Sequence, residues 1–583
     1  MSPHKSKKKA AGKAAVSKKA PAKKAPAKKA PAKKAPAKKA AGGGHAPPSD
    51  PVAAEILVPK ANSVTVRMYR IGHGDCFLLA FPREESSDGP RPVYVLIDCG
   101  YKPESPDEIV PLLPNRVEDV TRNIVECTGG FVDVAVITHE HQDHVNAISM
   151  TNFAGLKIGE TWFAWTENDE DDDANRLREQ YEDKLLGLAA ARRSLAAAGD
   201  KRTLAKIDEL LAFELGLDAG GVPIAEVAQR MALEARKRKT QPKKPKNPLN
   251  SANKKAMLVF KELAEHNLRF FSPHEKIVPL PGNQRVRIYA LGPPREELLL
   301  NWLDPVGDEG FHRLGLASTE NFFAAAAATA PDGSASGDSS GSPFSERYHI
   351  PYRKRPKAGS FLDRHYGNDL DNPTRSGFSE EGQTKAPDNA EWRRIGKDWL
   401  YSAESLALAM NTRTNNSSLV LAFELGKGGK VLLFVGDAQR GNWISWAKQD
   451  WRDGDQKVSA RDLLGRTVLY KVGHHGSHNA TLDGTLESEH PNLSWMAQGE
   501  HAEEFTAMIT AVRKWALEIK WDHPLPAIKD ALLAKAAGRV LQTDTELAAL
   551  KPMNGLSAAE WKKFTDRTDG SHPLYFDHTV NFT

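Results

Sequence analysis

The stretch VDVAVITHEHQDH, Val132 to His144, constrains the fold of this chain more than any other. Its apolar run from Val132 to Thr138 reads as a strand. The run ends abruptly in His139, Glu140, His141, Gln142, Asp143 and His144. A strand fixes the backbone, so a loop at its end aims side chains past the sheet edge. His139 and His141 are two apart and point the same way in an extended segment. Asp143 and His144 follow, and a tightening loop turns them toward a neighbouring position. The spacing offers one ligand pair for each of two adjacent cations.

A two-metal site also needs a bridging carboxylate and further imidazoles. The segment LLFVGDA places Asp437 directly after an apolar strand, and LYKVGHHGS places His474 and His475 after another. Imidazole and carboxylate without thiolate suit two divalent ions, zinc or manganese. The three cysteines, Cys76, Cys99 and Cys127, are too few for a disulfide framework or a Cys-rich zinc module. Cys76 and Cys99 lie in apolar, strand-like runs and read as small buried thiols.

Further strands are predicted in NSVTVRMYRIGHGDCFLLAF, PVYVLIDCG (Pro92 to Gly100), RVRIYALGPP (Arg285 to Pro294) and the hairpin NNSSLVLAFELGKGGKVLLFVGDA, which turns at GKGG. Between them, Leu177, Tyr181, Leu185, Leu188 and Leu195 recur at helical spacing. A Gly199-Asp200 break follows, then a second pattern through Leu204, Ile207 and Leu211, so an inserted helical hairpin is expected. Amphipathic helices are predicted near 502–519 and 527–537, and a basic loop at 236–248. The sequence thus divides into a tail (1–50), a first core part (51–165), a helical insertion (166–275), a return to the core (276–300), an irregular insertion rich in Gly, Ser, Ala and Pro (301–410) and a second core part (411–583).

Charge separates the tail from the rest. Residues 1–49 hold 15 Lys and no acidic residue, which leaves the remainder with 65 basic against 75 acidic residues. Four PAKKA repeats span 21–40 and carry the pairs Lys23 and Lys24, Lys28 and Lys29, Lys33 and Lys34, and Lys38 and Lys39. Proline every fifth residue blocks a continuous helix, and so little apolar mass does not offset ordering entropy, so disorder is expected. Repeated lysine pairs suit DNA or another polyanion through counterion release. The tail resembles the Lys/Ala/Pro-rich tails of linker histones and bacterial histone-like proteins; the alternative is a solubilising extension. No apolar run approaches the length of a membrane span, and no secretory signal precedes the tail, so a cytoplasmic protein is expected.

THEHQDH resembles the signature of metallo-β-lactamase-fold hydrolases. With it, IGHGDCFLL, VLIDCG, NNSSLVL, LLFVGDA, KVGHHGSHN, WDHPLP and LQTD resemble the lactamase-like domain of ComEC-type DNA-uptake proteins. The similarity covers Ser63 to about Trp165 and Thr412 to about Asp544, not the tail or the two insertions. It implies an α+β fold, a four-layer αβ/βα sandwich with metals at one edge of paired sheets. By position, it implies that His139 and His141 bind one metal and that Asp143, His144 and His475 bind the other. Asp437 bridges the two, and Asp98 orients a ligand from behind. His474 is the alternative to His475, or a phosphate contact. The superfamily's further histidine for the first metal has no counterpart here; Asn415 to Val420 occupy that region, as in ComEC-like domains. That site is then open, weakly occupied or completed by water. The membrane channel of ComEC proteins has no counterpart either, so DNA transport is not implied.

The expected activity is metal-dependent hydrolysis, with a DNA phosphodiesterase or nuclease as the leading reading. Asp143 and Asp437 are the catalytic carboxylates in it. The backbone N–H groups of Gly476 and Ser477, and the side chain of Asn479, are candidate phosphate contacts, with a plain tight turn as the alternative. Two other readings are a small-molecule hydrolase of a nucleotide, phosphoester or lactone, and a non-catalytic nucleic-acid-binding protein with a degenerate core.

Overall fold

A computed structural model describes residues 54–84, 91–198, 201–216, 226–227, 251–301, 305–306, 309–310, 410 and 413–582. The lysine tail, the Gly199-Asp200 break, the basic loop 236–248 and nearly all of the irregular insertion lie outside these residues. The chain forms two units, Met1–Val52 and Ala53–Thr583, and the second is described here.

Two large mixed sheets dominate it. The first contains β1 (Ser63–Tyr69), β2 (Cys76–Phe81), β3 (Val93–Cys99), β4 (Phe131–Val136), β5 (Lys157–Ala164), β6 (Leu268–Phe271), β16 (Thr568–Asp569) and β17 (Tyr575–Asn581). Its order is β16-β17-β1-β2-β3-β4-β5-β6. The second contains β7 (Val278–Leu280), β8 (Asn283–Gly292), β9 (Val420–Leu425), β10 (Val431–Phe434), β13 (Thr467–Lys471), β14 (Thr506–Ile509) and β15 (Val540–Gln542), ordered β15-β14-β13-β10-β9-β8-β7. β11 (Asp450–Asp453) and β12 (Gln456–Ser459) form a separate ribbon. In each large sheet an antiparallel half leads into a parallel one: β3 to β6 are parallel, and so are β10, β13, β14 and β15.

Side-chain alternation builds the core. Phe77, Leu79 and Phe81 of β2 join Leu421, Phe423 and Phe434 of the second sheet in one buried cluster. The Phe77 and Phe434 rings meet edge to face at 5.4 Å. The alternate residues, Leu78 and Ala80, face helix α1 (Arg116–Cys127) through Val120 and Ile124. Leu433 and Val435 on the far side of the second sheet pack with Trp443, Ile528 and Leu532. Strands buried on both faces explain the continuous apolar runs in the sequence.

The range 166–275 is only partly helical. Helices α3 (Asp172–Ala198) and α4 (Lys201–Leu215) form the hairpin, with Leu177, Leu185, Leu188, Ile207 and Leu211 buried; the side chain of Leu195 lies outside the description. Helix α5 (Ala252–Leu263) then packs Met257 and Phe260 under the first sheet, and β6 pairs with β5. The segment therefore contributes a strand to the core and is not a detached insertion. The helix predicted near 502–519 is also different: it is a 3₁₀ turn (Gly499–Glu503), strand β14 and a short helix (Arg513–Glu518). A short apolar run fits either period, and burial on both faces decided for the strand. The helix near 527–537 is present as Pro526–Lys535.

Candidate metal centre

The parallel strands aim their carboxyl ends at one place, where open α/β sheets hold their ligands. Past β4 the backbone runs through Thr138 to His141 into a single turn of helix, α2 (Gln142–Val145). Asp98 is the last residue but one of β3, Asp437 stands past β10, and the Gly473–Gly476 turn past β13. Asp98, His474 and His475 adopt left-handed φ values of 54°, 44° and 54°. Such conformations persist only where surrounding structure enforces them, and they cluster at functional sites.

Asp143, His144, Asp437 and His475 converge, and all four are buried. His144 Nε2 lies 3.2 Å from Asp437 Oδ1, and His475 Nε2 lies 3.1 Å from Asp143 Oδ2 and 3.7 Å from Asp437 Oδ2. Each imidazole is gripped from behind. Asp98 Oδ2 sits 2.8 Å from His144 Nδ1 while its other oxygen accepts from the Thr138 N–H at 2.8 Å. The Thr510 carbonyl is 3.0 Å from His475 Nδ1. Both rings therefore present Nε2 to the centre.

His139 and His141 stand beside this group. His139 Nε2 and His141 Nδ1 face each other at 3.1 Å, and the His139 ring centroid is 4.1 Å from that of His144. His474 is set apart: its backbone N–H donates to Asp437 Oδ1 at 3.0 Å, and its half-buried ring lies between the amides of Asn415 (3.3 Å) and Gln439 (3.1 Å). Of the adjacent histidines, only His475 belongs to the buried group. The Ser477 N–H donates to the His474 carbonyl at 2.9 Å, and the Ser477 hydroxyl donates to Asn479 Oδ1 at 3.2 Å. The GHHGS segment is thus a tight turn, and the Ser477 N–H proposed for phosphate is already engaged. The Gly476 carbonyl accepts from Leu525 at 2.9 Å, which ties that turn to the WDHPLP segment.

Several residues of the centre escape sequence reasoning. Asp75 lies within IGHGDC, 3.6 Å from His144 Nδ1. Lys471 ends β13, fully buried, with its ammonium against Asp75, 3.5 Å from Asp437 Oδ1 and 2.8 Å from the Gly436 carbonyl. Lys102 Nζ is 3.8 Å from Asp143. A lone lysine inside the apolar run TVLYKV was the available signal, because lysine is almost never buried without a partner. Glu214, from α4, lies 3.4 Å from His141 and had no signal at all.

Electrostatics follow from this packing. Burial alone raises a carboxyl, yet His144, His475 and Lys471 hold Asp437 well below the usual carboxylate range. Burial is likewise outweighed at Asp143, where Lys102 and the His475 hydrogen bond hold the carboxyl well down. Burial lowers His144, but Asp437, Asp75 and Asp98 raise it well above the ordinary imidazole value. The four buried aspartates Asp75, Asp98, Asp143 and Asp437 thus outnumber the three buried cationic groups, Lys102, Lys471 and a protonated His144, by one. Asp143 Oδ1 accepts no hydrogen bond among the described residues. Excess buried negative charge and an unused carboxylate oxygen fit a divalent cation, and the oxygen and imidazole donors suit zinc or manganese.

No protein-family model and no curated protein matches this chain.

Proposed function

We propose that this chain is a divalent-metal-dependent hydrolase of the metallo-β-lactamase type, with DNA phosphodiesters as its substrate class. The observation that carries the reading is the meeting of Asp143, His144, Asp437 and His475 from separate strand ends. Helices over the outer face of each sheet support the four-layer arrangement that the sequence resemblance implies.

Two bound cations would supply an activated water and neutralise charge growing on the phosphoryl oxygens. The protein's own groups hold that chemistry in place. Asp437 lies between His144 and His475 and would offer the cations its carboxylate, which Lys471 steadies. Asp98 and Thr510 fix the two ring orientations. Asp143 keeps one oxygen on His475 and leaves the other without a hydrogen bond among the described residues; held ionised, it orients a water more readily than it retains a proton. His474, Asn415, Gln439 and Asn479 form a polar rim suited to substrate oxygens. The lysine tail would hold a polyanion near an otherwise acidic body.

A small phosphoester or lactone is the second reading, favoured by the near-complete burial of the site residues. Elemental analysis of protein purified without chelator, followed by manganese assays on linear DNA, single-stranded DNA and a small chromogenic phosphodiester, separates the two. The expected result is about two ions per chain and DNA cleavage that Asp437→Ala abolishes. Equal cleavage by that variant, or less than one ion per chain, overturns the proposal in favour of a non-catalytic protein. Turnover of the small diester alone, by the full chain and by a chain lacking residues 1–49, supports the second reading.

A further inference from the structure

The helical hairpin reaches into the centre through one residue. Glu214, next to last in α4, is buried, and its Oε1 lies 3.4 Å from His141 Nε2. That oxygen makes no hydrogen bond among the described residues, so its approach to His141 is an ion-pair contact, while Oε2 accepts from the Tyr181 hydroxyl of α3. The end of α4 is itself pinned, because Asn253 of α5 donates to the Glu214 carbonyl at 3.3 Å. A carboxylate anchored through one oxygen with the other set against an imidazole is a feature of built metal sites, where it fixes the tautomer and direction of a ligand.

We infer that Glu214 is a positioning residue that holds a proton on His141 Nε2 and so commits His141 Nδ1 to the cation shared with His139. The inference rests on the metal-centre reading above. Two neighbouring contacts agree with this proton placement, although Thr138 Oγ1, 3.1 Å from His139 Nδ1, already gives its hydrogen to Asp98 Oδ2. With Nε2 protonated, His141 Nδ1 accepts from His139 Nε2 at 3.1 Å. His139 Nδ1 is then an acceptor, and Ser418 Oγ lies 3.2 Å from it. The same Ser418 oxygen accepts the Asp437 N–H at 3.1 Å, so the chain of contacts runs from α4 to the bridging carboxylate. The two facing nitrogens, 3.1 Å apart, would then be available to hold a cation without either ring turning over. The hairpin, which the family resemblance does not cover, thereby becomes part of the centre.

The test uses the full chain with ¹⁵N-labelled histidine, His141 being assigned by comparison with His141→Asn. In the metal-free wild type, long-range ¹H–¹⁵N correlations place the His141 proton on Nε2. A proton on Nδ1 overturns the inference without recourse to any variant. In Glu214→Leu the proton redistributes toward Nδ1, and zinc competition against a chelator shows the weaker-bound ion losing about 10–100-fold in affinity. Glu214→Gln, whose amide oxygen still accepts from Nε2–H, recovers most of that loss. A Leu variant with the wild-type tautomer and zinc affinity also overturns the inference. A wild type that takes up no zinc sinks the metal-centre reading instead, and the tautomer still decides the role of Glu214.

Discussion

Lys471 shows how much one residue carries. Its ammonium sits among Asp75, Asp437 and the Gly436 carbonyl, with no solvent to share the charge. Burial lowers a lysine, but the two aspartates raise this one above its ordinary value, so it stays charged. Removing one partner of a buried ion pair costs about 3–5 kcal/mol because the other is left uncompensated. Lys471→Met is therefore expected to lower the denaturation midpoint of metal-free protein substantially. A saturating divalent ion should then restore more stability to the variant than it adds to the wild type. Urea titrations with and without zinc check this, and an unchanged metal-free midpoint would contradict it. Neighbouring residues were legible to different degrees. Asp437 announces itself by ending an apolar run and Lys471 by interrupting one, whereas Asp75 acquires meaning only from its partners His144 and Lys471 in other segments.

Between elements, the close approach of β3 and α2 decides whether the centre forms. Gly100 follows β3, and a Cβ there would lie 2.5 Å from the carbonyl carbons of Asp143 and His144 and nearer still to the His144 nitrogen. Backbone cannot yield as a side-chain tip does. Gly100→Ala is expected to cost about 1–3 kcal/mol, as overpacking does, and to reduce zinc uptake by displacing two ligands together. Gly465→Ala is the control, since its nearest neighbour is Gln498 Cγ at 3.6 Å. Equal melting temperatures and zinc content for the two variants would refute the argument. The strands around this junction were readable because burial on both faces leaves uninterrupted apolar runs. The β14 segment was misread for the same reason, since such a run carries no period of its own.

Across the whole molecule, sheet one is completed by the far end of the chain. β17 pairs antiparallel with β1, with Arg67 opposite Asp577, and the two side chains form a pair of 2.7 Å hydrogen bonds. The adjoining His578 is buried, 2.8 Å from Thr568 Oγ1. Burial, with Arg567 nearby, lowers it from 6.5 to about 4. The folded state therefore holds this imidazole neutral, while the unfolded chain takes up a proton below 6.5. Its contribution is present above that value and is lost as pH falls toward about 4, by an amount of order 3 kcal/mol. His578→Gln should therefore lose stability less steeply than wild type between pH 6.5 and about 4. Parallel pH profiles of the denaturation midpoint would remove His578 from the account. Among the described residues, no helix is long and apolar enough to cross a membrane.

The sequence alone determined which strands are buried, where they end, and that imidazoles and carboxylates stand at those ends. These are local properties: hydrophobic runs, abrupt polar boundaries and short spacings. Only the tertiary structure decided which side chains meet. Through two consecutive left-handed residues it set His475 against Asp143 and His474 between the amides of Asn415 and Gln439, placed Lys471 among aspartates, and brought Glu214 from a distant helix to His141. Those outcomes depend on packing between segments far apart in the chain, and such distances leave no period, motif or composition in the sequence.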